Sequence, residues 1–220
     1  MGAVYLLRHG QASFGAADYD VLSAQGSQQS KTAGRELARR SARLAGAYSG
    51  TLSRQRETSR AALAECAPGT VAAEDPRFDE YDFGEIVACH GPAGDVDRTD
   101  PRQFQYALDT ALLEWIAAGD DSTCIRTWPE FRDGARAALD EVVGTLGKGE
   151  QALVTTSGGV IAALCVTLLG APDAAMPALN RVVVNAGLTK LVSGRSGTSL
   201  LSFNEHGHFD GEGASLLSYR

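Results

Sequence analysis

A chain of 220 residues with 20 Lys+Arg against 27 Asp+Glu, a formal net charge of −7, is long enough for one well-buried core and too short for two full domains. The acidic balance excludes the broad positive field that nucleic-acid binding requires, so any phosphate site here is a local positive pocket. No run reaches the ~18 apolar residues of a membrane helix, no cationic leader precedes an apolar stretch, and Leu6 stands where N-myristoylation needs Ser or Thr, which predicts a cytoplasmic protein without membrane contact.

In chain order, Ala3-Val4-Tyr5-Leu6-Leu7 is an unbroken apolar run, the pattern of a strand buried on both faces of a parallel sheet. It ends in Arg8-His9-Gly10. Ligands of open α/β sheets sit beyond the carboxyl ends of the strands, so Arg8 and His9 are delivered to that rim and Gly10 lets the backbone turn beneath them. Ser23 to Leu44 reads as mostly helix, interrupted by Gly26 and Gly34, with Arg35, Arg39, Arg40 and Arg43 as a solvated face. A short strand follows at Ala45 to Ser49. The turn Ser49-Gly50-Thr51-Leu52-Ser53 carries hydroxyls suited to capping a second helix, with Arg54 on its first turn.

Thr70 to Glu74 reads as the third strand, followed by the acidic loop Asp79-Glu80-Tyr81-Asp82-Phe83-Gly84. Crowding among Asp79, Glu80 and Asp82 raises the pKa of one of them, as an acid catalyst requires. From Ile86 to Thr127 the composition is loop-like, with Gly91, Pro92, Gly94 and Pro101, which marks an inserted cap at about residues 86–127 of a single domain spanning 1–220. Within it Phe104, Ala107, Leu108, Ala111, Leu112, Trp115 and Ile116 form the apolar stripe of an amphipathic helix.

Trp128-Pro129-Glu130-Phe131 opens another helix, ended by Gly147. The strand Ala152 to Thr156 runs straight into Ser157-Gly158-Gly159 and a buried helix that stops at Gly170. A strand that feeds a glycine-bearing turn into a helix N-terminus favours an anion, through free N–H groups and the helix dipole. Two more strands, Gly187 to Val192 and Ser199 to Phe203, close the chain before Asn204-Glu205-His206-Gly207-His208-Phe209. Cys66, Cys89, Cys124 and Cys165 are far apart and include no Cys-x-x-Cys pair, which predicts free thiols and argues against zinc and disulfides.

Several of these stretches resemble the histidine phosphatase superfamily, also called the phosphoglycerate mutase-like family. Arg8-His9-Gly10 opens the chain as it does there, and the segment from Asp18 to Gln29 resembles the family's Leu-Thr-x-x-Gly-x-x-Gln, with Ser23 for threonine. Leu52-Ser53-Arg54-Gln55-Arg56-Glu57-Thr58 resembles Ser-x-Leu-x-Arg-Ala-x-x-Thr, with Gln55 in place of alanine. Glu80 and Gly84 match a Glu-x-x-x-Gly loop, and Asn204 to Phe209 resembles a closing Phe-Asn-x-x-x-His-Leu that we read as a packing signature. The main departure is Ser157, where the family's Val-x-x-His-Gly-Gly carries a second phosphate-binding histidine.

The resemblance implies an α/β fold: a three-layer sandwich, a mostly parallel sheet with helices on both faces and an inserted cap. It also implies phosphomonoester hydrolysis through a phosphohistidine on His9, with Glu80 as proton donor and Arg8, Arg54, Ser157 and Gly158 holding the phosphoryl group. Asp79 and Asp82 remain alternatives to Glu80. The chemistry needs no metal or other cofactor, and the partner is a small phosphorylated substrate or a phosphopeptide. The missing second histidine predicts reduced activity, or in the alternative a phosphoryl-binding pseudophosphatase. A mutase is disfavoured because the loop Glu80-Tyr81-Asp82-Phe83-Gly84 lacks the arginine of the mutases' Glu-Arg-x-Tyr-Gly. A serine hydrolase elbow at Ser157 is disfavoured because Thr155 stands where Gly-x-Ser-x-Gly needs glycine.

Overall fold

The computed structural model describes residues 2–13, 20–40, 44–92 and 100–219. Met1, Asp18, Tyr19, Arg43 and Gly94, which figured in the expectations above, lie outside them. The strands are β1 (Gly2–Arg8), β2 (Leu44–Ser49), β3 (Ala73–Glu74), β4 (Gln151–Thr156), β5 (Leu188–Gly194) and β6 (Gly197–Glu205). They form one sheet in the order β3-β2-β4-β1-β5-β6. The pairs β2–β3, β2–β4 and β1–β4 are parallel, and only β5 runs against its neighbours β1 and β6.

The helices are α1 (Ala24–Arg39), α2 (Ser53–Cys66), α3 (Phe83–His90), α4 (Pro101–Ala118), α5 (Trp128–Gly144), α6 (Gly158–Leu169) and α7 (Met176–Val182). Alternation along the central strand sorts them into two layers. Val4 and Leu6 of β1 face the core built on α4, α5 and α6, with Leu112, Trp115, Phe131, Leu139 and Ile161. Tyr5 and Leu7 face the other core, with Ala33 and Leu37 of α1 and Ala62 and Leu63 of α2. A strand buried on both faces must be apolar at every position, which is why this one reads as a continuous run. The expected three-layer α/β sandwich is therefore the observed one.

Four local expectations need correction. The third strand is confined to Ala73–Glu74, where only Tyr48↔Ala73 and Ser49↔Glu74 pair. Helix α5 ends at Gly144, and Gly147 instead donates its N–H to Glu150 Oε2 at 2.7 Å. Helix α2 is not capped by a hydroxyl: its N-cap is Leu52, whose side chain has no polar atom, and instead Asp20 Oδ2 accepts from Ser53 N while Gln55 Oε1, in the helix's own first turn, accepts from Leu52 N. The described residues of the segment 86–127, read as loop-like, are largely helical: Asp82 caps α3 and Asp100 caps α4 through Arg102 N at 2.8 Å. The apolar stripe on α4 is as expected, with Ala107, Ala111, Leu112 and Trp115 buried. All four cysteines are free, although Cys89 and Cys124 lie side by side.

Candidate active site

The carboxyl ends of β1, β2 and β4 lie side by side, because Arg8 pairs with Thr156 and Ser49 with Thr155 in parallel register. His9 N donates to Thr156 O at 2.8 Å and Gly50 N to Thr155 O at 3.1 Å, which carries the sheet one residue past each strand. The loops that leave this rim supply the candidate residues.

Glycine at 10 and 26 is demanded by backbone contact. A Cβ at Gly10 would lie 2.3 Å from Gly26 O, and one at Gly26 would lie 2.1 Å from Gln11 O. The start of α1 therefore presses directly on the turn after His9. Gln29 then bridges outward, with Oε1 accepting from Gln11 N at 2.8 Å and Nε2 donating to Leu216 O at 2.6 Å. Thr58 Oγ1 accepts from Gly10 N at 3.0 Å and donates to Arg54 O at 2.7 Å, locking α2 to the same turn.

His9 is 6% exposed. Its Nδ1 lies 2.7 Å from Gly10 O and its Nε2 lies 3.3 Å from Arg54 Nε. A carbonyl only accepts and a guanidinium only donates, so the proton sits on Nδ1 and the lone pair on Nε2. Burial, followed by the Arg54 and Arg8 guanidiniums, holds the imidazole well below its usual pKa, and it is neutral at pH 7.

Arg54 also donates through Nη1 to Asp20 Oδ1 at 2.6 Å, while Asp20 Oδ2 accepts from Ser53 N at 2.7 Å. Asp20 thus both caps α2 and neutralises Arg54, a role no local pattern announced. Arg8 lies on the same rim and its charge reaches both His9 and Glu80. Its Nη1 donates to Val183 O and, at 3.0 Å, to Tyr219 O.

The turn expected to bind an anion holds the carboxylate of Glu80: Gly159 N donates to Glu80 Oε2 at 3.0 Å. A Cβ at Gly159 would sit 2.2 Å from Glu80 Oε1, and one at Gly158 would sit 2.6 Å from Asn180 Oδ1 and 3.5 Å from Arg8 Nε. The paired glycines exist so that these side chains can lie against bare backbone. Burial raises the Glu80 pKa above its ordinary value, outweighing the Gly159 hydrogen bond and the Arg54 and Arg8 charges that lower it. The next residue, Tyr81, anchors the loop by packing 5.9 Å from Trp115 and 5.7 Å from Phe131, ring centre to ring centre.

The other two acids of that loop serve structure. Asp79 accepts from Thr51 N and Thr51 Oγ1, and Asp82 caps α3 through Gly84 N at 2.8 Å and Glu85 N at 3.0 Å. Ser157 is fully buried, and its Oγ accepts from Gln55 Nε2 at 2.8 Å. Room for the Gln55 amide exists because residue 50 is glycine: a Cβ there would lie 2.0 Å from Gln55 Oε1. Asn204 to Phe209 braces the rim from outside, Asn204 Oδ1 accepting from Val184 N at 2.8 Å and His208 Nε2 lying 3.1 Å from Ala186 O. Ala186 N in turn donates to His9 O at 3.3 Å.

The site thus joins a neutral, oriented imidazole, two guanidiniums and a buried carboxyl biased toward its protonated form. No curated protein sequence matches the chain. Solved structures with the same fold include a mutant phosphoserine phosphatase from Entamoeba histolytica in complex with phosphoserine, with a TM-score of 0.65 at 19% identity over 94% of this chain and 99% of that one. A phosphoglycerate mutase from Bacillus anthracis superposes with a TM-score of 0.67 at 19% identity over 94% of each chain. A mycobacterial glucosyl-3-phosphoglycerate phosphatase gives 0.63 at 22% identity, covering 92% of this chain and 98% of the other. The family model for the histidine phosphatase superfamily, branch 1, matches residues 4–206, nearly the whole sequence and every element that builds the rim, and the chain belongs to that superfamily.

Proposed function

We propose that the chain is a phosphatase that hydrolyses a phosphomonoester through a phosphohistidine on His9. The observation that carries this reading is the pair of bonds on His9, Nδ1 to Gly10 O and Nε2 to Arg54 Nε, which leave a neutral imidazole with its lone pair beside a guanidinium. In the first step the Nε2 lone pair attacks phosphorus, the P–O ester bond breaks, and the leaving oxygen takes its electron pair and a proton from Glu80. In the second, water attacks the phosphohistidine, Glu80 accepts its proton, and the P–N electron pair returns to Nε2. Arg54 and Arg8 stabilise the charge on the phosphoryl oxygens, with the Ser157 hydroxyl and the Gly158 N–H as neutral donors. A guanidinium pair supplies the positive charge that the phosphoryl group needs, so the scheme calls for no metal.

Glu80 is the acid in this scheme because Asp79 and Asp82 are committed to Thr51 and to the start of α3. Residues 86–127 act as the cap, and the substrate is a small phosphorylated molecule or a phosphopeptide held between it and the rim. Replacing a preorganised charged donor by a hydroxyl costs about 10²–10³ in rate, which predicts a slow enzyme.

A phosphoryl-binding protein without turnover is the second reading, favoured by Ser157, which offers a neutral hydroxyl held by Gln55 Nε2 where the family motif carries a second histidine. Release of phosphate from p-nitrophenyl phosphate, compared with His9→Ala, separates the two. Phosphate release by the native chain and none by the variant is expected. Equal release from both removes His9 as nucleophile, and vanadate binding without release establishes the second reading.

A further inference from the structure

Away from the rim, three potential ligand atoms from two segments converge. Glu85 and Cys89 stand four residues apart on α3, so their side chains lie one above the other on the same face. Cys124 comes from the connection between α4 and α5, and is buried where Cys89 is exposed. One carboxylate oxygen of Glu85 and the two sulfurs all lie within 4.8 Å of one another. Sequence distance hides this cluster, because the cysteines belong to different elements and share no motif.

The surroundings are organised. Glu85 Oε1 accepts from Ile125 N, which fixes the carboxylate against the Cys124 segment. Ser122 Oγ accepts from Cys124 N at 3.2 Å and pairs with His90 Nε2 at 2.8 Å. The connection is thus pinned to α3 at Glu85 and again at His90, with the cluster between the two pins. Such outer hydrogen bonds are what orient ligands toward an ion.

We propose that Glu85, Cys89 and Cys124 form a binding site for a thiophilic divalent cation of the zinc class, with solvent as the fourth ligand on the Cys89 side. Tetrahedral zinc, with bonds of about 2.0–2.3 Å, places its ligands roughly 3.3–3.8 Å apart, so closure asks for a contraction of at most about 1–1.5 Å. Two thiolates and one carboxylate suit a soft cation and not Mg²⁺ or Ca²⁺, which take oxygen ligands. Binding staples α3 to the segment leading into α5. It uses none of the residues assigned to phosphoryl transfer and does not rest on the phosphatase reading.

The test is titration of the purified, reduced full-length chain with Co²⁺, read by the thiolate-to-cobalt charge-transfer absorption, then displacement by Zn²⁺. One equivalent of cobalt is expected to give the band and zinc to abolish it, while Mg²⁺ has no effect. Loss of outer partners alone weakens metal sites about 10–100-fold, so Cys89→Ser, at an exposed position, is expected to weaken cobalt about 100-fold or more, and Glu85→Gln at least about tenfold. Cys66→Ser, outside the cluster, leaves the titration unchanged. Absence of the band, or a band that survives Cys89→Ser, overturns the proposal. So does a chain that binds no cobalt when reduced but forms a Cys89–Cys124 disulfide with glutathione disulfide as oxidant.

Discussion

Gln55 Nε2 donates to Ser157 Oγ at 2.8 Å, across 102 positions of sequence, so two of the residues read as departures from the family's motifs touch each other. The amide also donates to Phe78 O at 2.9 Å, and its Oε1 accepts from Leu52 N at 3.3 Å. A glutamine in this position fills space that a larger residue at 157 would need. The two positions should therefore couple. Gln55→Ala leaves a buried hydroxyl without its donor, a cost of about 1–3 kcal/mol. Ser157→His alone overpacks the pocket at a similar cost of about 1–3 kcal/mol. The double variant is expected to be more stable than the sum of the two losses allows, with a coupling of about 0.5–3 kcal/mol in urea denaturation. Strict additivity would show that Gln55 and Ser157 are independent.

Gly26 was legible as a helix interruption and as the glycine of the Leu-Thr-x-x-Gly-x-x-Gln resemblance, and the structure makes it the point where α1 meets the turn after His9. A Cβ there falls 2.1 Å from Gln11 O, and the obstructing atom is backbone that has nowhere to swing. Gly26→Ala is expected to cost at least about 3 kcal/mol, the upper end of overpacking. Gly144, at the end of α5, has no atom within 4 Å of a built Cβ. Gly144→Ala should instead stabilise by about 0.4–1 kcal/mol. Thermal melts of the two variants, moving in opposite directions, check both claims.

What could be read from the chain was local: the apolar run ending at Arg8 and His9, Arg54 on the first turn of a helix, the glycines after Ser157, and Glu80 at a plausible spacing. What escaped was pairing at a distance. Asp20 meets Arg54 across 34 positions, and Arg8 meets Tyr219 across 211. A carboxylate that caps one helix and grips its arginine looks, in sequence, like any loop aspartate. At the start of α6, where a bound anion was expected, Gly159 N donates to the chain's own Glu80, a pairing that no spacing rule predicts.

His9 makes stability depend on pH. Its folded pKa lies well below its unfolded value, so the unfolded chain binds a proton that the folded chain refuses. Stability from this group is complete above the unfolded pKa of about 6.5 and falls as the pH drops below it, with a slope of at most about 1.4 kcal/mol per pH unit. His9→Gln removes the term. Urea denaturation at pH 7 and pH 5 should show a larger loss for the native chain than for the variant, and parallel losses would place the imidazole in a far more exposed setting.

Asp20 competes with an incoming phosphoryl group for Arg54. Its Oδ1 holds Arg54 Nη1 at 2.6 Å, and removing its charge leaves the guanidinium with a stronger net field. Asp20→Asn should tighten vanadate binding about fivefold, since one unit charge at ~4 Å in a water-like dielectric contributes ~1 kcal/mol. The variant keeps an amide oxygen that still accepts from Ser53 N, and Asn caps a helix about as well as Asp, so little stability is lost with the gain in affinity. Vanadate affinity measured by calorimetry at fixed ionic strength distinguishes this from a purely structural role, which predicts weaker binding.

In the proposed scheme Glu80 sets the alkaline side of the activity profile. Attack needs His9 neutral and the leaving oxygen needs the Glu80 proton, while burial raises the Glu80 pKa and lowers that of His9. The two shifts both favour the state with His9 neutral and Glu80 protonated, and in the proposed scheme kcat/KM for an alkyl phosphate should fall as the pH rises through the raised Glu80 value. Glu80→Gln cannot titrate, so its profile should be flat over that range, with alkyl phosphates slowed by about 10²–10⁴. Nitrophenolate leaves without help from an acid, so the first step on p-nitrophenyl phosphate should survive in the variant. Water attack on the phosphohistidine still lacks its base. Rapid mixing of Glu80→Gln with p-nitrophenyl phosphate should then show a stoichiometric burst of nitrophenolate followed by slow turnover, and a linear trace at the native rate would assign the acid and base to another residue.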